Sequence, residues 1–281
     1  MKILRVGTRG AERPAILDSA SRPRDLSRIV GDITPEWLGS AGVEALAGVD
    51  VESLPLISGK VRIGAPIARV GKVVCVGLNY SDHAAESGMD VPKEPILFMK
   101  GGHTVQGPDD DIKIPRNSIK TDWEVELGVV IGRRALYVEP AAALDHVAGY
   151  CVCNDVSERA FQLEHGGQWD KGKNCETFGP LGPWLVTRDE VPDPQQLDMW
   201  LDVNGRRFQK GSTRTMVFGV AHLVHYISRF MPLDPGDVIS TGTPPGVGLG
   251  QKPPVYLKAG DEMRVGIQGL GEQTQRVIPA Q

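Results

Sequence analysis

From residue 72 onward the chain is a succession of short apolar runs cut by Gly and Pro, with one long helical stretch at 217–230. Residues 73–77, 125–131, 147–153 and 184–187 read as strands, each short, apolar and bounded by turn formers. Asn204-Gly205, between Leu201-Asp202-Val203 and Arg206-Arg207-Phe208, is a two-residue hairpin signal, because a type I′ turn needs positive φ at both central positions. Val217, Val220, Ala221, Val224 and Ile227 recur at helical spacing, and Pro232 ends that run. Pro235-Gly236-Asp237 and Ala259-Gly260-Asp261 are matching turns, each ahead of a short apolar strand. Strands and long helices do not alternate, so a doubly wound parallel sheet is disfavoured and the expected fold is α+β and β-rich. Residues 1–66 have a different texture, with strands at Lys2–Val6 and Arg13–Leu17 and a helical piece at 35–47. They predict a small N-terminal α/β domain ahead of a main domain at 67–281.

At 281 residues the chain can bury a full core. Its net charge of −4 carries no concentrated basic face, which argues against a nucleic-acid partner. Asp109-Asp110-Asp111 is the one acidic run and reads as a solvated turn. No segment approaches the roughly 20 apolar residues that span a bilayer. Residues 1–5 lack the apolar stretch of a secretory signal. Cys75, Cys151, Cys153 and Cys175 form no CxxC pair, and the expectation is free thiols in a reduced, cytoplasmic setting.

The most informative segment is Asp122-Trp123-Glu124-Val125-Glu126-Leu127-Gly128-Val129-Val130-Ile131. On a strand, Val125, Leu127, Val129 and Ile131 share one face and Glu124 and Glu126 the other, with Gly128 expected to leave open space beside them. Two carboxylates about 7 Å apart on one face repel unless they are solvated or given a cation. The pair is therefore either the wet side of an edge strand or a site for a hard, oxygen-liganded ion such as Mg²⁺ or Mn²⁺. Asp155, after the apolar run at 147–153, is a third candidate ligand.

Other segments bear on the choice. They are Val76-Gly77-Leu78-Asn79-Tyr80 running on to His83 and Glu86, Asn154-Asp155-Val156-Ser157-Glu158-Arg159 with Gln162, Gly172-Lys173 ahead of Gly179-Pro180, and Ser240-Thr241-Gly242-Thr243-Pro244-Pro245-Gly246-Val247-Gly248. Together with the acidic strand, in this order, they resemble the fumarylacetoacetate hydrolase family over residues from about 72 to 266. The resemblance implies a mixed β-sandwich or β-roll domain, Mg²⁺ or Mn²⁺, a small-molecule substrate, and assembly as a homodimer or higher homo-oligomer. By position it makes Glu124, Glu126 and Asp155 the metal ligands, His83 and Glu86 a water-activating pair, and Lys173 an active-site lysine. Arg159, Gln162 and Thr243 match substrate-contacting positions. Lys100 is included with them, although Met99-Lys100-Gly101 departs from the family's usual proline after the lysine.

The chemistry follows from the residue types. His83 and Glu86, three apart in a stretch that can start at Ser81 and stop at Gly88, would share a helix face. A carboxylate holding one imidazole nitrogen leaves the other free to take a proton from water. A surface ion pair is the bland reading of the same spacing. The expected reaction is metal-dependent hydrolysis of a carbon–carbon bond in a 2,4-dioxo acid. Within the family the chain looks most like the sugar-acid branch, acting on 2,4-diketo-3-deoxy-L-rhamnonate or -fuconate and releasing pyruvate. Oxaloacetate decarboxylation, acylpyruvate hydrolysis and sugar-acid lysis are the enzymatic alternatives, and a non-catalytic metal-dependent binding protein is the alternative of another class. His103, His146, His165, His222 and His225 fall in no ligand pattern. Neither GxGxxG, GxSxG nor HExxH occurs.

Overall fold

The computed structural model describes residues 1–82 and 90–280. The N-terminal stretch supplies β1 (Lys2–Val6), β2 (Arg13–Leu17), β3 (Pro23–Asp25), α1 (Pro35–Gly39), α2 (Gly42–Ala45) and β4 (Ile63–Gly64). The single helical piece expected at 35–47 is two short helices, because Ala41 between them takes a left-handed φ of 59°. Next come β5 (Lys72–Gly77), β6 (Ile96–Gly101), β7 (Val105–Gln106), β8 (Ile112–Lys113), β9 (Thr121–Asp122), β10 (Val125–Ile131), β11 (Val147–Asn154) and β12 (Ser157–Glu158). Two short helices, α3 (Arg159–Leu163) and α4 (Asp170–Lys173), precede β13 (Gly179–Thr187). The chain finishes with β14 (Asp198–Val203), β15 (Arg206–Ser212), α5 (Val220–Ser228), β16 (Val238–Ser240), β17 (Glu262–Ile267) and β18 (Gly271–Ile278).

An eleven-stranded mixed sheet runs β3-β2-β1-β13-β11-β10-β16-β5-β6, with β4 added to β1 and β7 to β13. A second sheet of five strands, β15-β14-β17-β18-β8, faces it. Leu127, Val129, Tyr150 and Val152 of the first layer share one core with Met199, Leu201, Val265 and Ile267 of the second. This is the β-rich α+β sandwich that the strand pattern predicts. On the reverse face of β10 and β11, Val130, Cys151 and Cys153 pack with Leu38, Ile67 and Cys75. The N-terminal stretch has a small core of its own, Ile3, Ile16, Leu26, Val30, Ile33 and Leu46. Its strands nonetheless join the main sheet, since β1 pairs with β13 through Lys2↔Val186 and Ile3↔Leu185. No helix among the described residues is long and apolar enough to cross a membrane.

Local deviations from the sequence pattern have identifiable causes. Helix α5 starts three residues later than the periodicity predicts, because Asn79 captures the preceding backbone. Its carbonyl and Oδ1 accept the N–H groups of Val217 and Phe218, and its Nδ2 donates to Thr241 O. At the hairpin, Asn204 and Gly205 take φ of 51° and 77°, as the turn signal requires. Asp110 does not lie in a merely solvated turn, since both its oxygens hold the Arg62 guanidinium.

Gln209 on β15 fastens the two layers where the acidic strand begins. Its Oε1 accepts Val125 N–H at 2.9 Å, and its Nε2 donates to Thr243 Oγ1 and Pro244 O, both at 2.8 Å. Replacing it by leucine orphans buried groups that each cost about 1–3 kcal/mol. Gln209→Leu is therefore expected to lower stability by about 2–4 kcal/mol in urea unfolding. A change under about 0.5 kcal/mol, the usual surface value, would show that water replaces the amide.

Candidate metal centre and active site

Strand β10 runs between β11 and β16, and all seven of its residues are buried. That placement excludes the wet edge strand as an account of Glu124 and Glu126. The pairing Val125↔Asn154 puts the residue after β11 beside the residue before β10, and Asp155 N–H donates to Glu124 C=O at 2.9 Å. One carboxylate oxygen each from Glu124, Glu126 and Asp155 lies within 4.8 Å of the other two. The open space expected at Gly128 is absent: a Cβ there would sit 3.0 Å from Cys151 Sγ, so this glycine serves packing between β10 and β11.

Two cations reach into the cluster from the short helices. Lys173, at the end of α4, donates from Nζ to Glu124 Oε2 at 2.6 Å and to Asp155 Oδ2 at 2.7 Å. Arg159, at the start of α3, donates to Glu124 Oε1 at 2.6 Å, Asp122 Oδ2 at 2.8 Å and Gln162 Oε1 at 3.0 Å. Among the described residues Glu126 has no cation of its own; its Oε2 accepts from Ser240 Oγ at 2.6 Å and Gly242 N–H at 2.9 Å. These differences set the titration of the group. Burial by itself raises Glu124, but Lys173 and Arg159 outweigh it and hold the carboxyl well below the usual range. Burial, then the charges of Asp155 and Glu124, push Glu126 well above it. Burial alone would lower Lys173, yet Asp155 and Glu124 raise it, so it stands as a cation rather than a free base.

The cluster opens on a cavity of about 510 Å³. Glu124, Glu126, Arg159, Gln162, Lys173 and Thr243 line its polar end, while Val76, Phe98, Leu163, Trp169, Val247 and Leu249 make an apolar wall. Phe98 and Trp169 meet edge to face at 5.4 Å, and Lys173 Nζ lies 5.0 Å from the Phe98 ring centre. The bare Cα of Gly77 admits the Trp169 ring, which a Cβ would meet at 2.4 Å. Thr243 lines the cavity with its hydroxyl already engaged, donating to Val125 O and accepting from Gln209. Lys100 does not fit its expected substrate contact. It lies behind the carboxylates, 1% exposed, and is absent from the cavity wall. His83 and Glu86 lie outside the described residues.

Sequence reasoning assigned no role to Asp122, which is fully buried. Besides holding Arg159 it accepts Gly248 N–H at 2.6 Å and Leu249 N–H at 2.9 Å, tying the glycine-rich loop to the acidic cluster. Its position two residues before Glu124 was the available signal, since three acids at alternate positions are harder to solvate than two. Nothing in the sequence pattern points to the Phe98–Trp169 wall, which forms from separated segments.

The donor set suits a hard divalent cation. Among the described residues it offers three carboxylates and no sulfur or imidazole, and Asp155 Oδ1 is a buried oxygen held only by the Lys100 ammonium, 2.7 Å away. Glu124, Glu126 and Asp155 would hold the ion.

A mixed two-layer sheet built around such a cluster defines a class. The family model for fumarylacetoacetate (FAA) hydrolase C-terminal domains matches residues 72–278. The chain belongs to the fumarylacetoacetate hydrolase family, an enzyme family whose matched structures are named as hydrolases and as isomerases. A relative from Burkholderia orbicola (strain MC0-3), provisionally named a hydrolase, is 62% identical over 282 residues, covering 100% of both chains. The solved fumarylacetoacetate hydrolase from psychrophilic Exiguobacterium antarcticum is 35% identical with a TM-score of 0.87, covering 100% of both chains. The maleylpyruvate hydrolase from Sphingobium sp. SYK-6, solved in complex with manganese(II) ion and pyruvate, is 26% identical with a TM-score of 0.83, also covering 100% of both chains.

The unequal surroundings of the two glutamates predict opposite costs for the same substitution. Glu124→Gln breaks a buried ion network and is expected to destabilise the metal-free protein by about 3–5 kcal/mol. Glu126→Gln removes an uncompensated carboxylate while keeping an acceptor for Ser240 and Gly242, so metal-free stability should hold or rise. Both variants should lose most of the increase in Tm that Mn²⁺ gives the unaltered protein. Equal destabilisation by the two changes would contradict this charge assignment.

Proposed function

We propose that the protein is a divalent-metal-dependent hydrolase that cleaves a carbon–carbon bond in a small 2,4-dioxo acid. The observation that carries this reading is the buried Glu124–Glu126–Asp155 cluster, flanked by Lys173 and Arg159 and opening on the cavity. A bound Mg²⁺ or Mn²⁺ would supply Lewis-acid polarisation at the 2-oxo acid end of the substrate. Arg159, with Gln162 against its guanidinium, stands where it can orient the substrate carboxylate. Lys173 brings a fixed positive charge toward the oxygen that becomes negative as water adds to C4. We assign the removal of the water proton to His83, oriented by Glu86, on their spacing and the family resemblance. The C4–OH bond forms, the C3–C4 bond breaks and C3 takes up a proton, leaving pyruvate and the acid of the tail.

For the tail we favour a 2,4-diketo-3-deoxy sugar acid such as L-2,4-diketo-3-deoxyrhamnonate, which would give pyruvate plus a hydroxy acid. Its methyl suits the Phe98–Trp169 wall, and the cavity offers the amides of Gln162 and Gln251 to a hydroxyl. The maleylpyruvate hydrolase matched above is solved with manganese(II) and pyruvate, the same metal and product proposed here. We also propose a homodimer or larger homo-oligomer acting in the cytoplasm.

Two measurements test the reading. Turnover of diketo acids in ¹⁸O-labelled water, with Mn²⁺ present, should place one solvent oxygen in the new carboxylate, and a product without label would exclude hydrolysis. His83→Ala should lower kcat by about 10²–10⁴-fold, the span of losing a general base, with metal affinity nearly intact. Near-normal turnover by that variant would move the base elsewhere.

A further inference from the structure

Lys100 is one of the largest fully buried side chains, and nothing in the proposed chemistry uses it. Its Nζ donates to the carbonyls of Val156 at 2.9 Å, Lys173 at 2.6 Å and Phe178 at 3.0 Å. An ammonium has three hydrogens, as many as there are carbonyls around it. The same nitrogen lies 2.7 Å from Asp155 Oδ1, an oxygen with no other donor among the described residues. Four oxygens therefore share three hydrogens, so Asp155 Oδ1 is not saturated by Lys100 and keeps lone pairs for another partner.

The three carbonyls are placed where they control the site. Val156 follows Asp155, Lys173 is one of the cations that line the cavity, and Phe178 leads into β13. Lys100 is in turn fixed by its strand, since β6 pairs with β5 through Val73↔Lys100. A counter-ion would need none of these backbone bonds, and a substrate contact would need a place on the cavity wall, which Lys100 does not have. We infer that Lys100 is a positioning residue that preforms the metal site, transmitting the geometry of β6 to Asp155 and to the end of α4. This rests on the metal-dependent reading above.

The sign of one measurement separates positioning from simple charge. A cation beside Asp155 opposes a second cation there, so deleting the charge alone would tighten metal binding. Loss of positioning weakens it, and outer partners of metal ligands are typically worth 10–100-fold in affinity. Calorimetric titration of the unaltered protein, Lys100→Met and Lys100→Gln with Mn²⁺ decides the matter, with circular dichroism and Tm recorded metal-free. We expect Mn²⁺ to bind roughly 10–100-fold more weakly to Lys100→Met, less so to Lys100→Gln, which keeps two donors. Turnover should recover to within a few-fold at saturating Mn²⁺, which a general loss of structure would not allow. Unchanged or tighter binding by folded Lys100→Met overturns the inference, and if that variant does not fold, the same criterion applies to Lys100→Gln. Failure of the unaltered protein to bind Mn²⁺ would instead overturn the metal reading itself, and this inference with it.

Discussion

Four carboxylates buried in one cluster must be answered by positive charge, and the catalytic half of this protein is arranged around that requirement. Asp122, Glu124, Glu126 and Asp155 are each at least nine-tenths buried. Two like charges about 4 Å apart cost about 4 kcal/mol even at an effective dielectric of 20, comparable with a large share of a domain's net stability. Lys100, Arg159 and Lys173 supply the compensation, each at 2.6–2.8 Å from at least one of these acids. Removing Arg159 would leave Asp122 without a cation, which is the expensive configuration, whereas Glu124 and Asp155 each touch two.

The same requirement accounts for structure that secondary-structure propensity does not. Helices α3 and α4 have five and four residues, far below the roughly 12–15 at which an isolated helix becomes stable. Arg159 anchors the first to Asp122 and Glu124, and Lys173 anchors the second to Glu124 and Asp155. The glycine-rich segment after β16 is held likewise: its backbone donors reach Glu126 through Gly242, and Asp122 through Gly248 and Leu249. Thus the polar cluster does for the loops what the apolar cores do for the sheets.

How much of this was legible in the sequence depended on the range of the information. The strands and the Asn204-Gly205 hairpin follow from period and turn chemistry, which act over a few residues. Strand alternation paired Glu124 with Glu126 and left Asp155 as a third candidate, while the three were joined as one ligand set by the resemblance to the family. Whether β10 was an edge or a centre strand depends on β11 and β16, neither adjacent to it in sequence, so solvation of the acids was undecidable locally. Lys100 misled for the same reason. A lysine on a short strand near a proposed site invites contact with substrate, and only the convergence of three distant carbonyls shows it enclosed. The two helices at 35–47 and the late start of α5 turn on Ala41 and Asn79, single residues whose backbone or side chain overrides a periodic pattern.

Formal charge in the cluster also bears on the order in which ligands can enter. Among the described residues four carboxylates against three cations leave one negative charge in excess, and it falls on Glu126, the acid that none of those cations contacts and the one whose carboxyl burial raises. Without metal that excess favours a proton there and would repel the anionic substrate proposed above. A divalent cation changes the sum from −1 to +1, and a substrate carboxylate returns it to zero. The arrangement would therefore disfavour the proposed acid substrate until the cation is present, and would hold the cation more firmly once the carboxylate follows. Affinity for each ligand is linked to the other through one low-dielectric cluster, with no change of fold required. Glu126 is the residue on which that linkage depends, because among the described residues it brings to the cavity the carboxylate that Lys100, Arg159 and Lys173 do not contact.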